Sequence, residues 1–192
     1  MSTDRILVID AHPDSDPARF VHALAAAYLD GASDHQTRLI RLADLDFPLL
    51  RSAHDWADGQ PPAVIARAQE DIAWAQHVVF LYPLWLGDIP ALLKGFLEQV
   101  MRPGFALSYR QNGLPRKLLK GRSARIVVTM GMPAFFYRLV YRAHSLKSLE
   151  RNILRGVGIS VVGESIIGLV DSNDIKRGAW LREMRELGMA GM

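Results

Sequence analysis

The segment after the first predicted strand carries groups that suit an anion. It reads His12-Pro13-Asp14-Ser15-Asp16-Pro17-Ala18-Arg19-Phe20. The pattern predicts a turn from a strand into a helix, and a helix N-terminus binds phosphate through its free N–H groups and its dipole. The Ser15 hydroxyl, the Arg19 cation and the His12 imidazole are candidates to add to that site. The alternative is an ordinary capped turn in which Asp14 and Asp16 are solvated.

A second loop is too apolar for a free surface connection. It reads Tyr82-Pro83-Leu84-Trp85-Leu86-Gly87 and joins a predicted strand to a predicted helix. In an open α/β sheet, ligands bind at the carboxyl ends of the strands, from which such loops leave. A proline, a tryptophan and aliphatic side chains with exposed backbone amides favour a flat, partly aromatic ligand. The alternative is a hydrophobic turn that a neighbouring subunit buries.

A third loop follows another predicted strand and reads Thr129-Met130-Gly131-Met132-Pro133. Gly131 permits a ligand to approach the backbone closely. Phe135 and Phe136, just beyond, are expected to lie in the core or in a dimer interface. His144 on its own is more often structural than catalytic.

Other chemistries lack their signatures. There is no Ser/His/Asp constellation at a recognisable spacing and no cluster of histidines and carboxylates spaced as metal ligands, so no metal is expected. The absence of cysteine excludes thiol catalysis and disulfides. Neither a G-x-G-x-x-G fingerprint nor a phosphate-binding G-x-x-x-x-G-K-[ST] loop occurs. These absences favour chemistry performed by a bound cofactor that the protein positions.

The elements that position these loops follow from the apolar pattern. Strands are predicted over residues 5–11, 37–42, 78–81, 124–129 and 159–169. Helices are predicted between them and at the end. They begin at Pro17 with Asp16 as its cap, at Pro61, after Asp88 as the cap with Pro90 just inside, at Ala134, at Leu146 and at Asp174. The alternation predicts an α/β fold, a flavodoxin-like doubly wound five-stranded parallel sheet of order 2-1-3-4-5 with helices on both faces.

Three finer features are predicted. The Asn112-Gly113 turn signal predicts a small extended excursion after Phe105. The helix that begins at Leu146 is expected to be closed by Gly156. The last helix is expected to turn four side chains toward the sheet, namely Ile175, Trp180, Met184 and Leu187.

Composition sets the class. The 192 residues are expected to form a single domain over 1–192, with 49% hydrophobic and 22% charged residues, as in soluble globular proteins. The net charge of +3 is compatible with an anionic ligand but too weak and dispersed to indicate nucleic acid. No apolar run approaches the ~20 residues of a membrane span. Residues 1–5 lack a signal-peptide pattern, so we expect a cytoplasmic location.

Three motifs together resemble the flavodoxin-like NAD(P)H:quinone oxidoreductase family, the DT-diaphorase and modulator-of-drug-activity group. They are Ala11-His12-Pro13 with Arg19-Phe20, then Tyr82-Pro83-Leu84-Trp85 with Ile89-Pro90-Ala91-Leu92-Leu93-Lys94-Gly95-Phe96 and Glu98-Gln99-Val100, and finally Thr129-Met130-Gly131 with Tyr137. The middle motif is the specific one. The resemblance implies non-covalent FAD or FMN and a homodimer with its site at the subunit interface.

The resemblance also assigns roles. Side chains that would hold the phosphate and ribityl end of the flavin are His12, Ser15, Arg19 and Phe20. Those that would lie along the isoalloxazine ring are Pro83, Leu84, Trp85 and Leu86, and those at its other edge are Thr129, Met130, Gly131 and Met132. Met132 replaces a family glycine and is expected to narrow the space above the ring. Tyr137 and His144, the latter offset by one position, align with residues that stabilise charge on the reduced flavin or the acceptor.

The implied activity is two-electron hydride transfer from NAD(P)H, through the flavin, to a quinone or similar acceptor. Two alternatives stay open. One is a nitro- or azo-compound reductase on the same fold and cofactor. The other is a non-catalytic regulatory subunit that docks through the aromatic residues around Phe135, Phe136, Tyr137 and Tyr141.

Overall fold

A parallel five-stranded sheet forms the centre of the molecule. A computed structural model describes residues 4–109, 115–171 and 174–192. Its strands, in chain order, are β1 (Arg5–Asp10), β2 (Gln36–Arg41), β3 (His77–Pro83), β4 (Leu107–Ser108), β5 (Arg116–Lys117), β6 (Ser123–Thr129) and β7 (Ser160–Ile167). The large sheet has the order β2-β1-β3-β6-β7 with every pairing parallel. The predicted order 2-1-3-4-5 is therefore confirmed.

The predicted excursion is present beside this sheet. β4 and β5 pair antiparallel, with Leu107 opposite Lys117 and Ser108 opposite Arg116. The Asn112-Gly113 turn expected between them lies outside the described residues.

Helices cover both faces of the sheet. They are α1 (Phe20–Gly31), α2 (Ala53–Ala57), α3 (Ala63–Trp74), α4 (Ala91–Val100), α5 (Ala134–Leu139), α6 (His144–Ser148), a π-helix (Leu149–Leu154), α7 (Arg155–Val157) and α8 (Asp174–Ala190). Short 3₁₀ helices, Ala32–Asp34 and Leu42–Asp44, flank β2.

Two predicted helix starts are wrong, because the aspartates in question fold into local turns. The Asp16 carboxylate accepts a hydrogen bond from the Ala18 amide at 3.0 Å, and α1 begins only at Phe20. Asp88 exchanges both backbone hydrogen bonds with Trp85, at 3.0 and 2.9 Å, which closes a tight turn. Helix α4 therefore begins at Ala91, with Pro90 rather than Asp88 at its N-cap.

The helix predicted from Leu146 begins earlier and ends later than expected. α6, the π-helix and α7 form one continuous helical run over residues 144–157. The run passes Gly156 and ends at Gly158, whose φ of 107° is a left-handed conformation that glycine adopts without steric strain.

The core divides into two layers because successive side chains of a strand point to opposite faces. One layer includes Leu7 and Phe80, and the other, under α1 and α8, includes Ile6 and Val79. In the second layer the two helices touch backbone to backbone: a Cβ at Gly31 would lie 2.0 Å from the Arg185 carbonyl oxygen.

The predicted inner face of α8 is partly wrong. Met184 is fully buried and Trp180 and Leu187 pack against the core, as expected, but Ile175 is 82% exposed. The reason is that the first turn of α8 lies at the edge of the sheet, where Arg177 contacts Phe20, and not over the core.

Over the three described ranges, no helix combines the length and the apolar character needed to cross a bilayer.

Candidate functional site

Loops that follow β1, β3, β6 and β7 meet at the carboxyl edge of the sheet and enclose a cleft of about 230 Å³. This is the edge where parallel α/β sheets bind ligands. The lining residues are His12, Ala18, Arg19, Phe20, Val21, Pro83, Leu84, Trp85, Thr129, Met130, Gly131, Val170, Asp171 and Arg177. We call this the carboxyl-edge cleft.

The structure brings together most of the residues proposed to contact the cofactor. Among the predicted set, only Ser15, Leu86 and Met132 do not line the carboxyl-edge cleft. Ser15 is exposed on the outside of its loop, and Leu86 is fully exposed at the tip of the Trp85–Asp88 turn, with a φ of 49°. Met132 packs against the core, so the expected narrowing by this side chain is absent from the cleft.

Arg19 is already paired within its own loop. Its guanidinium lies 2.7 Å from Asp14 Oδ2 and 3.5 Å from Asp16 Oδ2. A hydrogen bond from the Asp16 amide, and then the Arg19 guanidinium, lower the pKa of Asp14. The two carboxylates compensate the Arg19 charge, so this loop offers a ligand less positive potential than its sequence suggests.

His12 bonds back to its own loop. Its Nδ1 lies 3.1 Å from the Asp14 amide nitrogen and 3.2 Å from the Asp14 carbonyl oxygen, so either ring tautomer finds a partner there. Burial lowers the pKa of His12, and the neighbouring His22 lowers it further. The ring meets the Trp85 indole edge to face, so the first two loops are in direct contact.

A buried pair behind this loop escaped the sequence analysis. Asp10 ends β1 and His22 lies in the first turn of α1, and they are only 2% and 8% exposed. His22 Nδ1 lies 2.5 Å from Asp10 Oδ2, and His22 Nε2 lies 2.9 Å from the Asp14 carbonyl oxygen. No short-range pattern marks the pair, because strand, loop and helix must form before residues 12 positions apart can meet.

The cleft also includes a cation that the sequence analysis missed. Arg177, in the first turn of α8, lies with its guanidinium carbon 4.8 Å from the centre of the Phe20 ring. Within the described residues Arg177 makes no ion pair with an acidic group. Val170 and Asp171 join the cleft from the loop after β7. The predicted sheet order could have indicated these two residues. The last strand lies beside β6, so its carboxyl end also reaches the edge of the sheet where the cleft lies.

The two residues that the resemblance assigned to charge stabilisation lie elsewhere. Tyr137 is fully buried; its hydroxyl lies 2.7 Å from Ser145 Oγ and accepts a hydrogen bond from the Leu146 amide at 3.2 Å. This bonding ties α5 to α6 and keeps the hydroxyl out of the cleft. His144 is exposed at the start of α6 and is likewise not among the lining residues.

An exposed apolar surface borders the cleft. We define the aromatic patch as Leu86, Phe135, Phe136, Leu139, Val140 and Tyr141, all of them exposed. Phe135 and Leu139 are 65% and 74% exposed, which excludes Phe135 from the core of this chain. The patch contacts the Trp85–Asp88 turn, because a Cβ at Gly87 would lie 3.1 Å from the Tyr141 ring, and Trp85 of that turn lines the cleft.

Comparison with known proteins identifies the family. The family model for the flavodoxin-like fold matches residues 4–186, and the chain belongs to this family. An uncharacterized NAD(P)H oxidoreductase of Haemophilus influenzae is 30% identical over 130 residues, which are 65% of this chain and 63% of that protein. An FMN-dependent NADH:quinone oxidoreductase of Nitratidesulfovibrio vulgaris is 26% identical over 194 residues, 97% of this chain and 82% of that protein.

A solved structure is also similar. The NAD(P)H:quinone oxidoreductase from Methanothermobacter marburgensis is 25% identical, with a TM-score of 0.81 and complete coverage of both chains. The chain nevertheless spans only between half and two thirds of the length of several curated relatives that it matches.

Proposed function

We propose that this chain is an FMN-dependent NAD(P)H oxidoreductase that reduces quinone-like acceptors, of the DT-diaphorase and modulator-of-drug-activity type. The carboxyl-edge cleft carries the proposal: it sets the flat wall formed by Pro83, Leu84 and Trp85 beside the start of α1 and the Arg177 cation. The names of the relatives from N. vulgaris and M. marburgensis support the same activity.

The residues present fit a flavin phosphate. The amides of Phe20 and Val21 open α1, where a helix leaves N–H groups without partners inside the helix. Arg177 lies beside Phe20 and, among the described residues, has no competing acidic partner. The proposed phosphate site is therefore the start of α1 together with Arg177, with Arg19 contributing less than its sequence position suggests.

The ring of the flavin is assigned to the opposite part of the cleft. Trp85, Pro83 and Leu84 would cover one side of it and exclude water, while Gly131 and Thr129 would lie at its other edge. His12 lines the cleft beside the Trp85 indole. A flavin held by these residues would supply the two-electron hydride chemistry that connects NAD(P)H with the acceptor.

We further propose that the aromatic patch is the contact surface of a homodimer. Apolar patches of several exposed large side chains mark interaction sites, and this one adjoins the cleft through Trp85. His144 follows the patch in the chain and is exposed, so it is available to the partner's cleft and not to its own. A second copy would thereby complete the site. The cytoplasmic location stays a prediction.

The test begins with the visible absorption spectrum of the purified protein and chromatography of the released chromophore. We expect an FMN spectrum and NAD(P)H oxidation that depends on added quinone. A protein that neither contains nor takes up flavin contradicts the proposal. Flavin without turnover supports the regulatory-subunit alternative, and faster turnover of azo or nitro compounds than of quinones supports the reductase alternative.

A further inference from the structure

The His22 imidazole lies between two hydrogen-bond acceptors. Its Nδ1 faces the Asp10 carboxylate at 2.5 Å, and its Nε2 faces the Asp14 carbonyl oxygen at 2.9 Å. A neutral imidazole carries one N–H, whereas an imidazolium carries two. Only the imidazolium donates to both partners at once, and the buried Asp10 carboxylate compensates its charge.

Asp14 is the residue through which His22 acts on the cleft. Its carbonyl oxygen lies 2.9 Å from His22 Nε2 and 3.2 Å from His12 Nδ1, its amide nitrogen lies 3.1 Å from His12 Nδ1, and its carboxylate accepts from Arg19 Nε at 2.8 Å. Asp10 also holds this loop, because its Oδ1 accepts a hydrogen bond from the His12 amide at 3.3 Å. The placement of both cleft residues, His12 and Arg19, therefore depends on where Asp14 is held.

We propose that His22 is the positioning residue of the flavin-binding loop, acting as an imidazolium that clamps the Asp14 carbonyl to the Asp10 carboxylate. The effect of His22 on flavin affinity rests on the proposed function. The clamp itself does not, because both contacts of His22 lie within this chain. Without a proton, His22 Nε2 presents a lone pair to the Asp14 carbonyl oxygen. The two atoms then repel each other, and the loop that contains Asp14 must move.

Several charged and titratable groups face the clamp. They are Asp10 from β1, His12 and Asp14 from the loop, Arg19 from the start of α1, and Arg41 from β2, whose Nε lies 3.9 Å from Asp10 Oδ2. The Asp10 carboxylate thus faces nitrogen donors from two elements, His22 from α1 and Arg41 from β2.

Two variants separate the halves of the clamp. The amide of His22→Asn occupies the place of Nδ1, so this variant keeps the bond to Asp10 and loses the one to Asp14. The amide of His22→Gln occupies the place of Nε2 and does the reverse. Hydrogen exchange of the Asp14 amide in the flavin-free protein, and the Kd for FMN across about pH 6 to 9, are measured for the wild type and both variants.

The expected result is asymmetric. His22→Asn accelerates exchange at Asp14 and raises the FMN Kd by about tenfold or more, as expected for a hydrogen bond from a charged donor, whereas His22→Gln, which keeps the donor to Asp14 and loses only the bond to Asp10, has the smaller effect on both.

Equal effects of the two variants overturn the inference. If the wild type takes no flavin while His22→Asn alone accelerates exchange, the proposed function fails and the clamp stands. If either variant does not fold, the wild type provides the test. Both ring N–H protons of His22 must then be visible by NMR at low pH, and loss of the Nε2 proton must coincide with faster exchange of the Asp14 amide.

Discussion

His12 and Trp85 meet with their ring centroids 6.0 Å apart and their planes at 86°. This edge-to-face contact joins the loop after β1 to the loop after β3 across the carboxyl-edge cleft. Trp85 is still 47% exposed, so most of its indole face is available to a ligand. We therefore expect the contact to orient the indole for stacking and to contribute little to folding.

Trp85→Ala should weaken flavin binding and leave the fold intact. An aromatic contact of this kind contributes about 0.5–1.5 kcal/mol beyond the area it buries, so the Kd for FMN should rise by at least a few-fold. Fluorescence titration with FMN measures it. Trp56→Ala, a change of the same type outside the cleft, is the control, and the assignment is wrong if the two variants retain flavin equally.

Arg177→Ala should weaken FMN binding more than Arg19→Ala. The Arg19 charge is compensated by Asp14 at 2.7 Å and Asp16 at 3.5 Å, whereas Arg177 contacts the Phe20 ring and forms no ion pair among the described residues. A charge-assisted hydrogen bond contributes about 1.5–3 kcal/mol, which corresponds to a rise in Kd of roughly ten- to 150-fold.

Riboflavin, which lacks the phosphate, is the matched ligand for this comparison. Its affinity should be unchanged by Arg177→Ala. Loss of riboflavin affinity to the same extent as FMN affinity would move Arg177 away from the phosphate and toward the ring. If Arg19→Ala lowers the affinity for FMN more than Arg177→Ala does, the phosphate site would instead lie in the loop after β1.

The sheet was predictable because its determinants are local. β3 is a continuous buried run, and a helical period lies between successive strands of the large sheet, which suffices for the parallel order. The ends of helices were less predictable, because Asp16 and Asp88 have the residue type of an N-cap but satisfy nearby amides in turns instead. Competition between a cap and a turn is decided by a few hydrogen bonds that composition does not reveal.

The candidate site divides in the same way. Pro83 ends a buried strand, and Trp85 and Gly131 lie two residues beyond strand ends, so the rule that ligands bind at the carboxyl ends finds them. Arg177 and the Asp10–His22 pair are set by tertiary contacts, and a buried aspartate at the end of an apolar strand gives no pattern. Tyr137 shows the limit of transfer from a resemblance, since its hydroxyl is occupied by Ser145 and the Leu146 amide.

His77 should make the protein less stable in mild acid. Burial lowers the pKa of His77 from 6.5 to about 4. Between these values the unfolded chain binds a proton that the folded chain does not, so the free energy of unfolding falls as pH drops, by roughly 2 kcal/mol at about pH 5. Urea unfolding of the wild type at neutral pH and in mild acid measures the change.

The variant His77→Asn isolates this contribution. An asparagine amide can keep the bond that Nδ1 makes to Ser123 Oγ at 2.7 Å, and it does not titrate. Its stability should vary less with pH than that of the wild type by about the same 2 kcal/mol. The exposed His54 is the control, because His54→Asn should leave the acid dependence unchanged. An unaltered dependence in His77→Asn would assign the acid lability to other groups.

Leu139→Asp should convert a dimer into a monomer. The side chain is 74% exposed on α5 at the centre of the aromatic patch, so a carboxylate there does not disturb the core of one chain but would be buried without a partner between two. Sedimentation velocity measures the mass, and Met189→Asp, at an exposed position of α8 outside the patch, is the control.

If the partner completes the site, the monomeric variant should also lose flavin, although its own cleft is intact. A dimer that survives Leu139→Asp would place the subunit contact elsewhere and leave the patch exposed beside the cleft, and a monomer that keeps its flavin would show that one chain suffices to bind it.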